Sequence, residues 1–175
     1  TPVTVVGLDD VTEIAVSSGH VCALSSDNSV SCWGDSDGGS RQFGNADRSS
    51  PFAMASLEPM VRLGAGGCSQ TDHTCGVDTT DRLWCWGQWG VGRLGHGNDG
   101  FNPAQPVRVI RQNDNGELVH FDGSQVAEVA TGGYSTCARM ADGTVECWGD
   151  NKKGNLGDGL RLPSHHTPRN CAPLY

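Results

Sequence analysis

The sequence predicts an all-β protein of the propeller type: about three four-stranded blades, incomplete as a single chain. Three observations carry this reading. One pattern recurs three times, as VCALSSDNSVSCWGD (21–35), TCGVDTTDRLWCWGQ (74–88) and TCARMADGTVECWGD (136–150). Each copy is a Cys, nine residues, then Cys-Trp-Gly, and recurrence at a fixed offset marks a repeat architecture. The composition favours strands and tight turns, with 25 Gly and fifteen Asp against five Glu, Asp being a turn former. Finally, no segment carries a convincing 3.6-residue apolar period.

Each unit is expected to hold four strands. The first is a short apolar alternation running into small residues: VTEIAVSSG, VRLGAGG and VAEVATGG. The second and third are the halves of the recurring pattern, folded at Asp27-Asn28, Thr80-Asp81 and Asp142-Gly143. Gly-rich turns follow, ending in Phe43-Gly44, Leu94-Gly95 and Leu156-Gly157. A Pro then opens the fourth strand: PFAMASL from Pro51, PVRVI from Pro106 and PRNCAPL from Pro168. Residues 50–57 are the best helix candidate, but they align with β-branched stretches and are read as strand.

PVTVVGL (residues 2–8) fills the same slot as these fourth strands. It is one strand too many for three blades. The expected organisation is a single domain, 1–175: a spare N-terminal strand (1–10), repeat 1 (11–60), repeat 2 (61–125) and repeat 3 (126–175). Repeat 2 carries an insertion at 111–125 that reads as a hairpin around Asn115-Gly116.

Six of the eight Cys form pairs at identical spacing: Cys22/Cys32, Cys75/Cys85 and Cys137/Cys147. Folding each pattern at its centre puts the two Cys opposite each other in an antiparallel hairpin. Facing Cα atoms there lie about 4.5–5.5 Å apart, within disulfide reach. Zinc sites favour closer pairs such as C-x2-C, so disulfides are expected, and with them a location outside the cytoplasm. Cys68 and Cys171 remain, either bridged within or between chains or left as buried thiols.

The motif Gly-His-x-Cys-Ala-Leu…Val-x-Cys-Trp-Gly (19–34), with the later Gly-Asn-Leu-Gly turn (154–157), resembles the regulator of chromosome condensation repeat in its Cys-rich bacterial secreted form. The resemblance covers essentially the whole chain. It implies a β-propeller of four-stranded blades, commonly about seven of them. The chain departs from the pattern in having three repeats, in Ser135 standing where the others have His20 and His73, and in extra residues before His73. The family includes propellers that grip partner proteins through loops on one face, and one relative that inhibits β-lactamases.

Composition excludes several classes. A net charge of -8 with no basic stripe opposes nucleic-acid binding and attraction to anionic membranes. No apolar run of the length needed to span a membrane as a helix is present. Enzyme signatures such as G-x-S-x-G, H-E-x-x-H and the P-loop are absent, and His20 and His73 share a repeat slot, which points to structure. The turns at 26–29 and 141–144 resemble the Asp-box of sialidases, itself a structural turn, so a glycan hydrolase is the weakest reading. Calcium is conceivable at Asp35-Ser36-Asp37-Gly38 and Asp150-Asn151, which supply hard oxygen ligands, although solvated turns fit them better; no cofactor is expected.

Trp33, Trp86 and Trp148 recur by repeat and are expected to pack between blades. Trp89, unique to repeat 2, is a candidate contact for a protein or a sugar, with burial the alternative. Three blades cannot close a ring. The expectation is therefore a secreted, non-enzymatic, self-assembling protein. Copies would complete one another as a ring or filament, using Val3 and Val5 of the spare strand or an end blade. The alternative is an extracellular module that binds a protein or glycan.

Overall fold

The structure, a computed structural model, describes residues 1–35, 48–67, 71–98, 103, 105–161 and 164–170. Blade 1 contains β1 (Val11–Val16), β2 (His20–Ser25), β3 (Val30–Gly34) and β4 (Arg48–Ala53). Blade 2 contains β5 (Met60–Gly66), β6 (His73–Asp78), β7 (Leu83–Gly87) and β8 (Val107–Arg108). A hairpin, β9 (Ile110–Gln112) and β10 (Leu118–His120), follows and then a 3-10 turn, Gly123–Gln125. Blade 3 contains β11 (Val126–Thr131), β12 (Ser135–Met140), β13 (Val145–Asp150) and β14 (Ser164–Asn170). Each blade is an antiparallel meander with its strands paired in chain order.

The turns explain why the meanders fold where they do. Asp27 accepts from the backbone N–H and hydroxyl of Ser29, and Asp142 does the same for Thr144. Asp78 takes this role in blade 2, binding Thr80 and also the Trp84 indole N–H at 2.7 Å. The inserted hairpin closes on Asn113, with Gly116 at φ 82, a conformation that favours glycine.

The prolines set the register of the fourth strands. Cys32 faces Phe52, Cys85 faces Val107, and Cys147 faces Arg169, each partner directly following Pro51, Pro106 or Pro168. Lacking an N–H, Pro is tolerated on such an edge strand. The fourth strands vary in length. β14 begins at Ser164, ahead of Pro168, whereas β8 is cut to two residues because Ile110 turns into the inserted hairpin.

Residues 1–10 correct one expectation: they contain no strand. PVTVVGL has the composition of an outer strand, but an outer strand forms only on the third strand of its own blade. All three third strands here already hold a partner: β4, β8 and β14.

The core lies between blades. Cys22, Leu24, Val30 and Cys32 of blade 1 pack on Met60, Leu63 and Trp86 of blade 2. Val77, Leu83 and Leu94 of blade 2 pack with Val126, Val129 and Trp148 of blade 3. The inner strands approach closely: a Cβ at Gly64 or Gly66 would overlap the carbonyls of Val129 and Thr131.

Candidate functional site

Both internal junctions use one set of contacts. In the first, His20 Nε2 and Thr74 Oγ1 are hydrogen-bonded at 2.7 Å; in the second, His73 Nε2 and Thr136 Oγ1 are bonded at 2.7 Å. The Thr136 hydroxyl donates to the Arg93 carbonyl at 2.9 Å, so its oxygen accepts from His73 Nε2–H, which fixes the tautomer. Burial, with the nearby Arg93 charge, pushes the His73 pKa down to about 3, and burial also lowers that of His20. Both imidazoles are therefore neutral near pH 7.

A second recurring contact comes from the hairpin turns. Asn28 (φ 67) and Asp81 (φ 60) hold left-handed conformations, turning their carbonyls toward the next blade. Met60 N–H donates to Asn28 at 2.8 Å, and Gly123 N–H to Asp81 at 2.9 Å. The third contact is the Trp, which packs against the preceding blade. Trp148 also donates its indole N–H to the Arg93 carbonyl at 2.9 Å.

Other contacts belong to one junction. Asp72 accepts from Ser18 Oγ and Gly19 N–H at 2.9 and 2.7 Å. Glu13 accepts from Leu63 N–H at 3.1 Å, and burial raises its pKa. Arg93 donates to the Thr71 and Gly133 carbonyls and lies 4.9 Å from the Tyr134 ring centre.

The open ends differ from these junctions, and the leading face of blade 1 differs most. Val11 and Ile14 are 40% and 66% exposed. Their counterparts, by register with the second strand, are Met60 and Leu63 in blade 2 and Val126 and Val129 in blade 3, none more than 5% exposed. Val16 is 57% exposed. Trp33 is half-buried where Trp86 and Trp148 are buried. Val21 stands where Thr74 and Thr136 receive a His. The result is an apolar surface made of the side chains that another blade would cover.

The trailing face of blade 3 is more polar. Arg139 occupies the slot of buried Leu24 and Val77, and its Nε lies 3.1 Å from Glu128 Oε2. Ser135 takes the His slot. The terms of the His–Thr contact are therefore missing on both open faces.

The remaining candidates are distributed as follows. Cys22–Cys32, Cys75–Cys85 and Cys137–Cys147 are disulfides with Cα–Cα distances of 4.1 Å. Cys68 and Cys171 lie outside the described residues. Trp89 is half-buried against the blade 2–blade 3 core rather than standing free. Val3 and Val5 are exposed. Of the calcium candidates, residues 36–38 lie outside the described residues. Asn151 is buried, and its amide is engaged by Asp158, the Leu160 carbonyl and Leu156 N–H. Among the described residues no group of three or more His, Cys, Asp or Glu side chains could hold a metal ion. The sequence reading missed Arg93, Asp72 and the left-handed carbonyls. The His-to-Thr offset between successive repeats was the available signal for the ladder.

The model of the regulator of chromosome condensation (RCC1) repeat matches residues 11–40 and 126–155. The E3 ubiquitin-protein ligase HERC2 of Homo sapiens is 32% identical over 154 residues, 85% of this chain and 3% of that protein. The ultraviolet-B receptor UVR8 of Arabidopsis thaliana is 31% identical over 156 residues, 83% of this chain and 31% of that one. The chain thus spans less than a third of these relatives. Among solved structures, human WBSCR16 superposes with a TM-score of 0.72 at 20% identity, over 93% of this chain and 40% of that one. Prp20p from Saccharomyces cerevisiae, whose binding properties to Gsp1p and histones have been described, superposes with a TM-score of 0.70 at 20% identity, over 95% and 39%. These likenesses carry the fold. With the repeat match they identify residues 11–40 and 126–155 as regulator of chromosome condensation repeats, set in a three-blade arc of β-propeller.

Proposed function

We propose that this chain is a non-enzymatic, extracellular propeller arc that works by association through the leading face of blade 1. The observation that carries the reading is Ile14, 66% exposed in a slot that is 4% and 5% exposed in the next two blades. An apolar surface of this make-up is a docking surface. Three disulfides suit an oxidising compartment, and no helix among the described residues is long and apolar enough to cross a membrane.

The self-assembled form is a ring or filament of copies stacked blade on blade, two copies giving six blades, within the range that closes. In such a contact Ile14 of one copy meets Cys137 and Val145 of the next. Ser135 and Val21 meet without orphaning a buried His or Thr, while Arg139 keeps Glu128. Strand exchange between copies is not part of this form, because each third strand already has a fourth. That Prp20p has described protein partners supports protein association as the mode of action.

Sedimentation analysis over a concentration series tests the proposal. The chain is expected to sediment as an oligomer, and Ile14→Asp as an 18.4 kDa monomer with unchanged circular dichroism. A wild-type chain that stays monomeric throughout contradicts it.

A further inference from the structure

The inserted hairpin and the outer edge of blade 3 enclose a cleft of about 390 Å³, to which blade 1 contributes no residue. The corresponding crevice between the blade 1–blade 2 connection and blade 2 is about 110 Å³. Two substitutions in the repeat account for the difference. Trp84, directly before the second Cys of its hairpin, lines the smaller crevice; Glu146 holds that slot in blade 3 and lines the larger one. Residues 56–58 form the opposite wall in the smaller crevice, and the longer hairpin supplies 112–114 in the larger. Small-ligand sites occupy roughly 300–1,000 Å³, so only the larger has room for a guest.

The Glu146 side chain is 9% exposed and faces this cleft. Its Oε1 accepts from Arg111 Nη1 at 3.2 Å, and among the described residues nothing donates to its Oε2. Burial raises the Glu146 pKa, and the Arg111 charge only partly offsets that. A carboxylate oxygen taken out of water without a donor is costly, and a ligand that donates to it removes the penalty. Asp158, by contrast, is saturated. Its Oδ1 accepts from Asn151 Nδ2 and Leu160 N–H, and its Oδ2 lies 2.7 Å from His165 Nε2. With Asp114, the lining sets three carboxylates against one guanidinium, a field that favours a cation.

The geometry selects among cations. No group of three or more His, Cys, Asp or Glu side chains among the described residues could hold a metal ion. A guanidinium is best held by both oxygens of a carboxylate, and Glu146 Oε1 is already taken. An ammonium is a compact point charge with three donors and needs only one oxygen from each partner. Leu160 and Pro168 add an apolar wall, along which a methylene stem can lie.

We propose that this cleft binds a primary ammonium on an aliphatic stem, as a lysine side chain presents it. The ammonium donates to Glu146 Oε2 and to Thr167 Oγ1, and its stem lies against Leu160 and Pro168. Arg111 is a positioning residue: it holds Oε1 and leaves Oε2 to the ligand. The site is independent of the leading-face reading above.

Nuclear magnetic resonance titrations of the full chain test this, in the wild type and in Ile14→Asp. The probes are Nα-acetyl-lysine methylamide and n-butylammonium. The controls are Nα-acetyl-arginine methylamide and the Nε-acetylated lysine derivative. Both amines are expected to give saturable shifts at the amides of 111–114 and Thr167, alike in the two proteins. Nε-acetylation should abolish them, and the arginine derivative should bind about tenfold more weakly or worse. Glu146→Gln keeps an acceptor for Arg111 and should weaken amine binding by about tenfold or more, through loss of a charge-assisted bond. If that variant fails to fold, the Nε-acetylated derivative on the wild type decides. Tighter binding of the lysine derivative than of n-butylammonium assigns a peptide lysine as the source, and the reverse assigns a free amine. Absence of saturable shifts in the cleft, or equal binding after Nε-acetylation, overturns the site. Equal or tighter binding of the arginine derivative overturns the choice of ammonium. Shifts seen in the wild type but lost in Ile14→Asp would tie them to association and overturn the cleft assignment. A monomeric wild type that still binds the amines contradicts the leading-face reading and supports this site.

Discussion

His73 Nε2 and Thr136 Oγ1 lie 2.7 Å apart, both side chains buried between blades 2 and 3. His20 and Thr74 repeat the contact one junction earlier. The ladder is what makes three separate meanders one body, because it ties the second strand of each blade to the second strand of the next.

Thr136→Val keeps the shape of the side chain and removes the only acceptor of His73 Nε2–H that the tautomer argument allows. A buried donor left without a partner costs about 1–3 kcal/mol. Urea denaturation should show that loss as a lowered midpoint at constant slope. Thr74→Val should act in the same direction through His20. An unchanged midpoint for both variants would mean that apolar packing alone joins the blades.

Acid should weaken the same junction. The folded-state pKa of His73 is about 3 against an ordinary 6.5. The unfolded chain therefore takes up a proton that the native chain refuses. The stability from keeping His73 neutral is present above about pH 6.5 and is lost as pH falls toward 3, by up to about 1.4 kcal/mol per unit. His20 acts with the same sign. Asp78 adds a further loss below about pH 4. Burial opposes its ionisation, but hydrogen bonds from Trp84, Thr80 and Arg82 outweigh it and hold the carboxyl at about 2. Glu13 and Glu146, whose carboxyls burial raises, act in the opposite sense. Urea titrations at pH 7 and pH 5 should show the drop, and His73→Gln should flatten it.

The three disulfides should not reduce together. Cys22, Cys32, Cys75 and Cys85 are fully buried, whereas Cys137 at the open trailing face is half-buried. Thiol–disulfide exchange needs access to a sulfur. Under mild dithiothreitol, alkylation and mass spectrometry should find Cys137–Cys147 opened first. Simultaneous opening of all three would point to reduction only through global unfolding.

Much of this architecture was legible in the sequence because a repeat reports each position three times. The hairpins follow from the turn pairs Asp27-Asn28, Thr80-Asp81 and Asp142-Gly143 standing at one offset from the first Cys, and the Cys pairs from folding at that offset. The inserted hairpin could be read from Asn115-Gly116. Residues 2–8 misled for a physical reason: β-branched composition records a fitness for pairing, and pairing needs a partner strand. Arg93 escaped notice because it occurs once and binds backbone carbonyls, which leave no trace in side-chain spacing. The bare face of blade 1 became visible only when Ile14 could be compared with Leu63 and Val129 in three dimensions.

The central claim is that the leading face of blade 1 is covered by another blade in the working protein. Hydroxyl-radical footprinting of the assembly isolated in its native state measures this directly. The account predicts Val11 and Ile14 protected to the same degree as Met60 and Leu63. Val11 and Ile14 as reactive as the exposed Leu118 of the inserted hairpin would contradict it.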